Sequence, residues 1–155
     1  MPSINMKVQR SMAKITLQSV PDQPGIAAEV FSALGEQGIN AELLSSIATG
    51  KGRGDISFAV LEEELGRVAP QLEALKSKIG ARRTVTDTSV ALISLYGERL
   101  YSDPGFSSRV FKSLALEGIN LQMISQSVSA LSFLVDRSKL DQAAATLQGT
   151  GDIEG

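Results

Sequence analysis

The chain contains no cysteine, no histidine and no tryptophan in its 155 residues. Without cysteine there is neither a disulfide framework nor a thiolate nucleophile, and with histidine missing as well the usual zinc ligand sets are gone. Two Tyr and five Phe leave few flat faces on which a base or a sugar ring can stack. An excess of positive charge is lacking too: 15 Lys and Arg against 17 Asp and Glu give a formal charge of −2, with a pI near 5.2. No basic field gathers a phosphate backbone, so nucleic acid is not an expected partner. There is no run of eighteen apolar residues and no basic start leading into an apolar stretch, which speaks against a membrane span and a secretion signal. The expectation is a soluble, cytoplasmic chain holding neither metal nor cofactor. Its 43% apolar and 21% charged residues suit one ordinary domain or two small ones.

What is present is a duplication. Residues 24–40 read PGIAAEVFSALGEQGIN and residues 104–120 read PGFSSRVFKSLALEGIN, eighty positions later. Pro24/Pro104, Gly25/Gly105, Val30/Val110, Phe31/Phe111, Leu34/Leu114, Gly38/Gly118, Ile39/Ile119 and Asn40/Asn120 are identical. A repeated supersecondary unit in so short a chain sets the architecture before any single residue is interpreted.

Residues 13–20 (AKITLQSV) alternate and include β-branched positions, as a half-buried strand does, and Pro21-Asp22-Gln23-Pro24-Gly25 then stops the strand with turn residues. Apolar residues recur from Ile26 through Val30, Phe31 and Leu34 at helical spacing, and Gly38 offers the left-handed residue that closes a helix. Runs at 40–49 and 55–61, separated by Gly50-Lys51-Gly52-Arg53-Gly54, predict a hairpin. Leu65, Val68, Leu72, Leu75 and Ile79 predict a second helix, with Pro70 as a possible kink, and residues 82–88 a strand. The order is βαββαβ. From Ser89 it repeats, with strands at 90–96, 120–127 and 131–135 and helices at 106–117 and 138–147. The second copy then stops short, with residues 149–155 reading as turn and tail.

The opening residues 4–9 alternate like a strand and belong to no complete copy. One orphan strand and one vacant position predict that it completes the second sheet, with the first unit (13–88) inserted in the second (4–10 with 89–148). The fold class is α+β: two ferredoxin-like βαββαβ units, with antiparallel sheets and helices on one face.

Each Pro-Gly loop lies before a helix N-terminus, where unpaired backbone N–H groups and the positive end of the macrodipole favour a carboxylate. Asp22 adds an anion beside those donors, so a free amino acid can set its carboxylate on the amides and its ammonium on Asp22. The plainer reading, that Asp22 and Asp103 only cap their turns, has equal weight. Gly50 to Gly54 lacks phosphate-loop spacing and precedes a strand, so a flexible hairpin tip is the better reading. Arg53-Gly54-Asp55 is taken as a chance tripeptide, and Glu62-Glu63-Glu64 as a solvated first helical turn. With no His, no Cys and no dense carboxylate pair, no catalytic residue is assigned.

VPDQPGIAAEVFSALGEQGIN at 20–40, DISF at 55–58 and GINLQMIS at 118–125 together resemble the tandem ACT regulatory region of aspartate kinases across nearly the whole length. The resemblance implies allosteric feedback by an end-product amino acid, threonine or lysine, bound where ACT units of two chains meet in a homodimer. It also implies a catalytic kinase domain or subunit as partner. The ligand-binding positions it implies are Asp22, Gln23, Pro24, Gly25, Ile26, Ala27 and Asn40 on the first unit, with Asn120, Leu121 and Ser127 on the second. Where that family commonly carries Gln-Asn this chain has Ser46-Ile47, and Ser125-Gln126-Ser127-Val128 lacks the family's glutamate. Those departures favour threonine or another small amino acid over lysine. The alternative reading is a dimerisation module that binds no ligand.

Overall fold

The structure is a computed structural model that describes residues 3–155. The chain divides into two compact units, Met12–Thr88 and the segment up to Ser11 together with Ser89–Gly155.

The first unit uses the later part of β1 (Ile4–Pro21), α1 (Ile26–Glu36), β2 (Glu42–Gly50), β3 (Arg53–Leu61), α2 (Leu65–Ile79) and the opening of β4 (Arg83–Tyr96). Its strands lie in the order β2-β3-β1-β4, with β1 and β2 both antiparallel to β3. Ala13, Ile15 and Leu17 recur every second residue and so share one face of β1. They join Phe58 and Val60 of β3 in a core with Val30 and Leu34 of α1 and Val68, Leu72, Leu75 and Ile79 of α2. Both helices thus cover one face of the sheet. Pro70 sits inside α2 without ending it, and Gly80, in the left-handed region at φ 75°, closes that helix.

The second unit repeats the plan with the rest of β4, α4 (Phe106–Leu116), β5 (Gln122–Gln126), β6 (Ala130–Asp136) and α5 (Leu140–Gln148). Its strand order is β1-β4-β6-β5. The opening residues of β1 therefore take the outer place beside β4, and Ile4 and Met6 enter the same core as Ile93, Leu95, Phe133 and Leu147. Phe111 packs edge-on to Phe133 with ring centroids 6.3 Å apart, a geometry that suits the aromatic quadrupole.

Four features depart from the sequence reading. Residues 4–9 and 13–20, read as separate strands, form one 18-residue strand; 82–88 and 90–96 merge likewise into β4. Neither junction contains Gly or Pro, so nothing interrupts the extended backbone. Residues 149–155 are not wholly a tail: β7 (Ile153–Glu154) pairs parallel to β1, Ile153 beside Ile4, because Ile153 is apolar enough to bury at 5% exposure. A short helix, α3 (Arg99–Ser102), precedes the second loop. Finally, Leu43 and Met123, eighty residues apart, both adopt left-handed φ, at 54° and 49°. Each marks a register shift at the start of β2 or β5. A non-glycine residue there carries strain, and a bulge twists the outermost strand away from its flat edge.

Candidate functional site

The loop between β1 and α1 frames a cavity of about 310 Å³. Asp22 and Gln23 border it on the loop, Ile26 and Ala27 at the helix start, Ser46, Ile47 and Ala48 on β2, and Gly54 and Ile56 on β3, with Val20 and Pro21 closing the side. The loop is held by backbone bonds: the Asp22 N–H donates to Gly52 O at 2.8 Å, and the Gln23 N–H to Pro21 O at 3.1 Å. Gly25 turns the chain into the helix at φ 93°, a left-handed conformation that glycine adopts at no steric cost. No side chain caps α1, so the amides of its first turn are left to water or to a ligand. The Asp22 carboxylate has no hydrogen bond or ion pair among the described residues. The site therefore presents anion-binding amides, one unpaired carboxylate and an apolar wall of Ile47 and Ile56.

The bulge that delivers this loop has its own clamp. Ser19 sits at φ 54° where the β1–β3 register shifts between Leu17 and Val20. Its N–H donates to Asp55 Oδ1 at 2.9 Å, and Arg53 Nε donates to Ser19 Oγ at 2.7 Å and to its carbonyl at 3.0 Å. Arg53 Nη2 reaches Gly80 O at 2.7 Å. Arg53 and Asp55, which the sequence offers only as a chance tripeptide, thus tie the hairpin tip to the cavity's near wall and to the end of α2. Arg53→Ala removes charge-assisted bonds to two carbonyls, and a loss of about 1–2 kcal/mol in urea unfolding is expected, with Arg53→Lys recovering part of it.

Of the residues singled out in the sequence, Asp22, Gln23, Ile26 and Ala27 border the cavity, while Pro24 and Gly25 make the turn between them. Asn40 lies exposed between α1 and β2 and does not border it. Asn120, Leu121 and Ser127 belong to the second unit, where Asn120 and Ser127 are exposed and Leu121 is half-buried against the core. From β2 the sequence singled out Ser46 and Ile47 only as departures from the family, and it missed Ala48 and the β3 contributions of Gly54 and Ile56. The resemblance pointed to Ser46 and Ile47, but only the pairing of β2 with β3 shows that they stand opposite the loop.

The second loop is built differently. The Gly105 N–H donates to Asp103 Oδ1 at 3.2 Å and the Phe106 N–H to Asp103 O at 3.1 Å. Asp103 is ion-paired to Arg109, and Arg99 Nη2 lies 3.5 Å from the same carboxylate oxygen. The Arg109 hydrogen bond, followed by the amide of Gly105, holds the Asp103 carboxyl below its ordinary value. A depressed carboxylate contributes stability at neutral pH that is lost as pH falls through the folded-state value, below the usual Asp range.

The fold and the two glycine loops define an ACT-domain protein: ACT domain profiles match residues 15–80 and 93–150, and the chain belongs to that family with two such domains. Its relatives among characterised proteins are aspartate kinases. An aspartokinase of Mycolicibacterium smegmatis is 37% identical over 142 residues, covering 89% of this chain and 33% of its own length. The chain spans about a third of the length of the curated relatives it matches. Among solved structures, the ligand-free regulatory subunit of aspartate kinase from Thermus thermophilus superposes with a TM-score of 0.85 at 28% identity, covering 93% of this chain and 95% of that one. The aspartate kinase of Synechocystis gives a TM-score of 0.87 at 25% identity, covering 96% of this chain and 27% of that one. No helix among the described residues is long and apolar enough to cross a membrane.

Proposed function

We propose that the chain is the allosteric part of a cytoplasmic aspartate kinase, carried with or beside a catalytic domain, and that it senses a small amino acid on its first unit. The observation that carries the reading is the Asp22 cavity, in which a free carboxylate stands beside uncapped helix amides. An amino acid's carboxylate accepts from those amides and its ammonium donates to Asp22. Among the described residues, Asp22 is the only ionisable side chain bordering the cavity, so a second ammonium has no counter-charge there. Threonine therefore fits before lysine, its hydroxyl and methyl facing Ser46 and Ile47. Binding that favours one of two arrangements is what passes the signal to the kinase.

The site is completed by a second copy of the chain, which supplies Asn120, Leu121 and Ser127. Support for a homodimer comes from the outermost strands. Leu44 and Ile47 on β2 are 48% and 62% exposed, Ile124 on β5 is 53% exposed, and Val128 in the turn that follows it is 68% exposed. Unpaired strand edges carrying apolar side chains are templates for association.

Titration calorimetry with threonine, lysine, methionine and isoleucine tests this, with threonine expected to bind. Silence with all four, at concentrations where sedimentation shows a dimer, removes the sensor reading and leaves a pure dimerisation module. The exposed Ile47 and Val128 give the second reading its footing. In sedimentation, Ile47→Lys is expected to shift the chain toward monomer.

A further inference from the structure

The duplicated loops invite comparison position by position: both helices lack a side-chain cap, but the carboxylates, the glycines and the space above them differ. Counting by eighty, the place of Asp22 is held by Ser102, and the second loop's carboxylate, Asp103, stands where the first loop has Gln23. One residue nearer the helix, Asp103 reaches back over its own turn to the Gly105 amide, a short-range bond natural to Asp. Gly25 is left-handed, whereas Gly105 is right-handed at φ −87°.

The space above the two glycines differs as well. A Cβ on Gly25 would meet nothing within 4 Å, whereas one on Gly105 would come within 2.9 Å of Arg109 Nη1. Arg109 occupies the helical position that Glu29 holds in the first unit, and Glu29 instead faces Lys78 Nζ of α2 at 2.8 Å. Beneath Arg109, Arg99 is 93% buried, paired to Asp152 at 2.9 Å and placed 5.3 Å from the Phe106 ring centroid. Between the helix start and the outer strand, Ser107 Oγ donates to Gln126 Oε1 at 3.2 Å. The corresponding residues of the first unit, Ala27 and Ser46, border the open cavity instead.

Resting on the sensor reading above, we infer that the second loop is occupied by its own arginines, Arg109 and Arg99 serving Asp103 as a ligand's ammonium would, so that the chain takes amino acid on the first unit alone. The Asp103 carboxylate, the Gly105 and Phe106 amides and the gap from Ser107 to Gln126 are satisfied from within, although no side chain caps α4, as none caps α1. A ligand there would have to displace a guanidinium that is tethered to the same helix and always present, while the first loop offers its groups to solvent. The duplication thus yields one responsive unit and one held permanently in a filled state.

Calorimetric titration with L-threonine should count one site per chain, and two sites per chain would overturn the inference. A second measurement stands apart from threonine: the ¹³C carboxyl signal of Asp103, followed against pH. It should titrate below the ordinary Asp range in the wild type and return toward it in Arg109→Met. An Asp103 that titrates normally in the wild type overturns the inference whatever the ligand does. Silence toward threonine with a depressed Asp103 removes the sensor reading while the arginine occupancy stands.

Discussion

Deleting residues 1–10 is expected to unfold the second unit and leave the first folded. The deleted segment includes Ile4 and Met6, buried at 0% and 6% exposure in the second core, the parallel partner of β7, the bond from Ile4 N–H to Asp152 O at 3.0 Å and the Arg10–Asp141 ion pair at 2.5 Å. Truncating one such core residue to alanine costs about 2–5 kcal/mol, and a domain's whole stability is about 5–15 kcal/mol. Losing two core side chains together with the backbone pairing of an outer strand therefore approaches or exceeds what the unit has. The first unit's core begins at Ala13 and contains none of the deleted residues. Amide hydrogen exchange separates the outcomes: protection at Ile93 and Phe133 should vanish while that at Ile15 and Phe58 persists. Loss of protection in both units alike, or in neither, would show that the opening strand does not serve the second unit in particular.

The second large effect belongs to Asp22. Asp22→Asn keeps the size of the side chain and exchanges a carboxylate for an amide, so the turn built from Gly52 O and Pro21 O has no reason to change. What disappears is the charged acceptor for a ligand's ammonium. A hydrogen bond to a charged group is worth about 1.5–3 kcal/mol, and the exposure of Asp22 in the free chain points to the lower half. A loss near 2 kcal/mol corresponds to roughly a thirtyfold rise in Kd. Calorimetry gives Kd, and thermal melting without ligand should match the wild type. Affinity unchanged within a factor of two would remove Asp22 from the site. The matched substitution Asp103→Asn, on the loop assigned to its own arginines, should leave threonine affinity where it is.

These expectations show how far the residues alone reach. The identical positions of the two segments are helix punctuation and apolar face, and those are local properties: Gly38 and Gly118 end their helices at φ 68° and 71°, and Val30, Leu34, Val110 and Leu114 are buried as their spacing requires. The orphan opening strand was legible through counting, because a βαββ unit with a second helix leaves its sheet one strand short. Strand fusion and the two-residue β7 were not legible, since both depend on what lies alongside rather than on any signal in the segment itself.

The sequence by itself determined that this chain is a duplicated α+β protein, since turn chemistry and periodicity act over a few residues and survive in both copies, and its motifs carried the resemblance to the ACT family. Only the tertiary structure decided that one loop is open while the other is filled by its own arginines. Counting by eighty already offsets Asp103 from Asp22 by one position, but whether a guanidinium six residues along, and another on a preceding helix, folds back onto the carboxylate is not written in the string. Both arginines lie within six residues of Asp103 in the chain, but pairing is set by distances of a few ångströms that depend on how the loop and α3 turn, and that is where the candidate sensor and its filled counterpart part ways.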